Sequence, residues 1–176
     1  MATKTFDVFV RGIAQPQGSA RVFLNKKTGK PILVGHNKNV AEWRQAVKGI
    51  VAWQWKGEPV DNAVGLSLIF VFTRPKSVPK TRLFVRSRPD ASKLLRAVED
   101  ALKGVAYTDD ARVVAASPVK IYGDEPGVYI FLRELEERAE DYDAFNLTHC
   151  IRVFNLLSPP VGGQRAKSEE GSTTGV

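Results

Sequence analysis

Apolar and polar positions alternate from Thr5 to Gly12, with Phe6, Val8 and Val10 set against Asp7, Phe9 and Arg11. A period of two belongs to a half-buried strand, so the chain opens on one. Residues Ala14 to Ala20, with Pro16 and Gly18, break the pattern as a loop. Arg21–Leu24 and Pro31–Val34 are short apolar runs around the turn Asn25–Gly29, the arrangement of a β-hairpin. From about residue 39 to 55 the period becomes helical: Val40, Trp43, Val47, Ile50 and Val51 share one face. Asn37 or Asn39 would cap this helix, and Gly57-Glu58-Pro59 ends it. Trp43, Trp53 and Trp55 fall in this apolar element, which favours core or dimer packing over base stacking. Ala63 to Thr73 is the most apolar segment and reads as a central strand.

Beyond it, residues 74–88 hold two prolines and a run of cations, an extended or flexible loop. A second helix is expected from about Asp90 to Lys103. Leu94, Leu95, Val98, Ala101 and Leu102 form its apolar stripe, and Asp90 is placed to accept from first-turn N–H groups. Lys103-Gly104 supplies a cation in the last turn and a residue free to take positive φ. Residues 112–122 and 127–135 read as a C-terminal hairpin, with Pro118 marking a bulge or an edge position. The sum is a single α+β domain: a mixed, largely antiparallel sheet of about four or five strands with two packed helices, over residues 1–135. Residues 136–157 form an extension with a charged, helix-like start. Residues 158–176 have the composition of a disordered tail.

Charge narrows the partners. The net charge is +7 over 176 residues, which suits a polyanion, because cations that neutralise phosphates release counterions. The C-terminal 36 residues carry none of that excess, with four acidic residues against three basic ones, so it lies in the body of the chain. A lone cysteine, Cys150, excludes an intramolecular disulfide, and with only two histidines a structural zinc site is not expected. No signal-like or membrane-spanning apolar run is present, so the expectation is a cytoplasmic protein that avoids membranes.

Candidate chemistry concentrates between Arg86 and Val114. Ser92, Arg96 and Glu99 share the polar face of the second helix, and a short turn then delivers Asp109-Asp110. If the following strand packs beside the helix, those carboxylates could return toward Asp90 as an acidic cluster with Arg96 nearby. Clustered carboxylates repel unless a cation sits between them, and Mg²⁺ or Mn²⁺ is the usual solution. The alternative is equally physical: Asp90 caps a helix and Asp109-Asp110 open a turn.

This stretch resembles the RusA-type Holliday junction resolvases, small phage and prophage endodeoxyribonucleases. The resemblance rests on Pro89-Asp90, Lys93-Leu94, Arg96-Ala97, Asp100-Ala101-Leu102, Gly104, Asp109-Asp110 and Val113-Val114. Residues 14–19 and Trp43-Arg44 add to it. It implies Mg²⁺-dependent cleavage of branched DNA such as four-way junctions, by a homodimer, with Mn²⁺ as a substitute. Carried over residue by residue, Asp90, position 92, Asp110 and Arg96 are catalytic, and Asp90, Asp109 and Asp110 hold the metal. Position 92 is Ser92 where the family has Asp, which removes one charge and one ligand. An inactive branched-DNA-binding protein of the same fold is the competing expectation. The candidate DNA-contacting cations are Arg21, Lys26, Lys27, Lys30, Arg44, Arg86, Arg88 and Lys93.

Overall fold

In the computed structural model, residues 4–18, 21–24, 31–34 and 38–136 are described, with residues 140, 143, 145, 146 and 149 beyond them. Residues 21–24, 31–34 and 38 are described by backbone alone. In chain order the elements are β1 (Thr5–Arg11), β2 (Arg21–Leu24), β3 (Pro31–Val34), α1 (Lys38–Gln54), β4 (Ala63–Thr73), α2 (Ala91–Leu102), a 3-10 turn (Asp110–Arg112), β5 (Val113–Gly123) and β6 (Gly127–Leu135).

The main sheet has the order β1-β6-β4-β5. The β1/β6 and β4/β6 pairs are antiparallel, and β4/β5 is parallel. β2 and β3 form a separate antiparallel hairpin. The result is the expected α+β domain with a mixed sheet, four strands wide, and two helices.

One strand pairing differs from expectation. β5 and β6 follow each other in sequence but do not pair, because β4 lies between them. The apolar β4, buried from Val64 to Val71, takes the slot in which both faces and both edges are covered. β5 then returns parallel to β4 through α2, a βαβ crossover, and becomes an edge strand. Pro118, which lacks an N–H, is tolerated there.

Alternation along β4 separates two cores. Val64, Leu66, Leu68 and Phe70 join Val47 and Val51 of α1, and Leu94, Val98 and Leu102 of α2, in the main core. Ile69 and Val71 face the other way with Ile121, against Phe9, Tyr129 and Phe131. The tryptophans divide: Trp43 is buried, Trp55 meets Phe6 edge-on at 5.4 Å, and Trp53 is 75% exposed. Residues 140, 143, 145, 146 and 149 are helical. Phe145 covers Gly65, where a Cβ would lie 2.6 Å from the phenyl ring, and Ser67 and His149 are hydrogen-bonded. The rest of the extension and the tail lie outside the described residues.

Candidate active site

Asp90 occupies the N-cap of α2 in extended geometry, and its carbonyl accepts from Leu94 N at 3.2 Å. Its carboxylate does not cap the helix, contrary to the expectation from spacing. It pairs instead with Lys93 at 3.3 Å and is about half exposed. An N-cap carboxylate not spent on the helix can instead accept from, or ligate, another partner. Asp90, Lys93 and Arg88 line a groove of about 540 Å³, whose other walls are Ile13 to Pro16, Phe72 and Pro89. Ser92 and Arg96 are exposed on the same helix.

The groove wall is tied down. Gln17 N–H donates to the Lys93 carbonyl at 2.8 Å. Arg44 of α1 bonds both Gln17 and Asp100 of α2 through one nitrogen. Arg44, a candidate DNA contact, is therefore engaged between the two helices and the loop, and is only 30% exposed.

The approach to Asp90 makes two turns and then runs extended along the sheet edge. Val78 N–H donates to Pro75 O and Arg82 N–H to Pro79 O, both at 3.0 Å. Arg74 closes these turns through the Pro79 and Arg82 carbonyls and lies 4.9 Å over the Tyr122 ring. Its charge is directed inward. Lys76, Lys80, Arg82, Arg86 and Arg88 remain exposed. Phe84 bridges to Ile121, so the segment just before the groove runs along the outer edge of β5.

Asp109 and Asp110 are at the opposite end of α2. Lys103, just past that helix, binds Asp109 at 2.5 Å and Asp110 at 2.9 Å. Asp109 also accepts from Ala111 N at 3.0 Å and so caps the 3-10 turn. The Lys103 hydrogen bond, with the Ala111 N–H, holds the Asp109 carboxyl down at about 2, and the two aspartates hold the Lys103 ammonium above its usual range. Glu99 is pushed up by burial, then by Asp100 and Asp110, with Arg96 opposing. It therefore belongs to this end of the helix, not to the Ser92 end.

The predicted cluster of Asp90 with Asp109 and Asp110 is not assembled within one chain. α2 is 12 residues long, about 18 Å at 1.5 Å per residue, and separates them. Among the described residues no group of three or more His, Cys, Asp or Glu is placed to hold a metal ion. The reason is topological. β5 runs parallel to β4, so the crossover helix is antiparallel to both and its ends face opposite ends of the sheet. Spacing along the chain does not reveal that.

Two lysines that no sequence motif singles out as site residues lie beside these carboxylates. Lys103, whose place before Gly104 marks a helix end, is also the counter-ion of the aspartate pair. Lys120, on β5, donates to the Ser87 and Pro89 carbonyls at 2.7 Å each. No motif announced it, although its place on the strand following the crossover was a clue. Lys26, Lys27 and Lys30 lie outside the described residues, as does the side chain of Arg21. Among the described residues no helix is long and apolar enough to cross a membrane.

Compared with known proteins, residues 14–133 match the family described as Endodeoxyribonuclease RusA. The chain is also 37% identical over 146 residues to the uncharacterized protein YqaN of Bacillus subtilis (strain 168), an alignment spanning 74% of this chain and 95% of that protein.

Proposed function

Since the chain belongs to the RusA family of endodeoxyribonucleases, which act at branched DNA junctions, we propose that it resolves four-way junctions by paired, Mg²⁺-dependent phosphodiester cleavage. The observation that carries this reading is Asp90: a half-exposed carboxylate, not used as a cap, in a groove flanked by Arg88 and Lys93. The exposed cations of residues 76–88 lead a phosphate backbone toward it, and the positive end of the α2 dipole adds to the attraction. Arg96, exposed one and a half turns along α2, would steady the charge that develops on the phosphate.

A divalent ion at these carboxylates would polarise the phosphoryl oxygen and acidify a bound water. The described residues of one chain do not bring together enough ligands for it. A homodimer reconciles the residue assignments with the geometry. Among the described residues no strand covers the outer edge of β5 over Val113–Pro118, a run without a single charge, and such an edge is a template for another strand. Antiparallel pairing of two β5 edges about a twofold axis would lay two α2 helices side by side in opposite directions. Asp90 of one protomer would then approach Asp109 and Asp110 of its partner.

A second reading is a junction-binding protein without efficient cleavage. Ser92 favours it: the residue is exposed on the first turn of α2, beside Asp90, and offers a hydroxyl where the family has a carboxylate. The two readings separate on a labelled four-way junction and its matching duplex, each with Mg²⁺, Mn²⁺ or EDTA. Metal-dependent, symmetrically paired nicks in the junction alone support resolution. Junction-selective binding without nicks, with cleavage gained by Ser92→Asp, establishes the binding protein.

A further inference from the structure

We propose that Lys120 is a positioning residue for Asp90, fixing the backbone that presents the carboxylate. The proposal rests on the reading of Asp90 as part of the cutting site. Its ammonium donates to the carbonyls of Ser87 and Pro89, 2.7 Å from each, and so grips the chain on both sides of Arg88 and immediately before Asp90. The Asp90 carbonyl is held from the other side by Leu94 N–H at 3.2 Å. The backbone is thus fixed before and after Asp90, while the side chain makes no cap bond and stays half exposed. That is the pattern of a rigid mount for a group that must meet a ligand.

The cost of the arrangement argues that it is not incidental. Lys120 brings a cation to the N-terminal end of α2, where the helix dipole is already positive and where Arg88 and Lys93 also gather. A lysine on an edge strand could extend into solvent instead. Here it is half-buried and spends two charge-assisted donors on main-chain carbonyls. Two backbone bonds join the same segment to the same strand: Val85 N–H to Lys120 O at 3.1 Å, and Tyr122 N–H to Leu83 O at 2.9 Å. These end at Val85. Lys120 carries the attachment onward to Pro89.

The test compares wild type, Lys120→Met, Lys120→Gln and Lys120→Arg, each checked for an unchanged melting transition. Two readouts are taken. The first is tryptic cleavage after Arg86, inside the gripped segment, which needs no catalytic activity. The second is single-turnover nicking of a four-way junction against Mg²⁺ concentration, with junction binding measured in EDTA. Lys120→Met and Lys120→Gln are expected to speed cleavage after Arg86. They should also lower the nicking rate at saturating metal on the order of tenfold or more, since small misplacement of a reacting group is costly. Binding should change little, and Lys120→Arg, which can reach both carbonyls, should restore both readouts. An unchanged rate of cleavage after Arg86 in the Met and Gln variants overturns the anchoring. Faster cleavage there with undiminished nicking overturns the link to Asp90. Should wild type not nick at all, the cutting function falls, and the Arg86 readout still decides whether Lys120 grips this segment.

Discussion

Three carboxylates on or beside α2 behave differently because their neighbours differ. Asp109 is bound by Lys103 and by Ala111 N–H, which hold its carboxyl at about 2. Its folded pKa lies below the ordinary aspartate value, so its contribution to stability is present above about pH 4 and is lost as pH falls toward 2. Lys103→Met should remove that window, and acid melts of the two proteins should converge at low pH. Glu99 has the opposite sign. Burial, Asp100 and Asp110 raise its pKa, so the folded state favours the protonated form, and its ionisation destabilises the fold as pH rises above the ordinary glutamate value. Glu99→Gln should therefore melt higher than wild type at pH 8 and nearly level with it at pH 4. A lower melting temperature at pH 8 would contradict this account of the site's charge. Asp90 could be picked from sequence because Pro89-Asp90 before a helical stripe places it at an N-cap. That its carboxylate would leave the cap for Lys93 could not, since both geometries fit the same residues.

At the level of elements, periodicity was a sound guide wherever one face is buried. The stripe of Leu94, Val98 and Leu102 gave α2 within a residue of its observed ends, and Gly104 takes φ +73° just after it. Gly104→Ala should cost roughly 1 kcal/mol, read as a lower denaturation midpoint, because a Cβ is strained at positive φ. Pairing was less legible. β5 and β6 are adjacent in sequence and joined by a short turn, yet β4 separates them, because the strand with the most apolar surface gains most from the interior position. The same rearrangement leaves the uncharged run Val113–Pro118 on an edge. Val114 is 62% exposed there, so Val114→Lys should leave the fold intact. If chains pair there as proposed, two added charges close to the twofold axis should dissociate the proposed dimer. Sedimentation would show the change from two chains to one, and a dimer unaffected by the substitution would place the interface elsewhere.

For the whole molecule, the carboxylates proposed for cleavage, Asp90 and the Asp109-Asp110 pair, lie toward opposite ends of one helix. The proposed twofold assembly turns that separation into a prediction about which chain supplies which carboxylate. The most direct measurement mixes Asp90→Asn and Asp110→Asn proteins, exchanges their subunits, and assays nicking of a labelled four-way junction with Mg²⁺. Each variant alone is predicted to be inactive, and wild type to make symmetrically paired cuts. In the mixed dimer one composite site carries both substitutions and the other carries neither, so the mixture is predicted to regain single, unpaired nicks. If each site lay within one chain, every site in the mixed dimer would carry one substitution. A mixture that stays inactive beside an active wild type would therefore contradict the shared site, and an inactive wild type would contradict the nuclease reading itself.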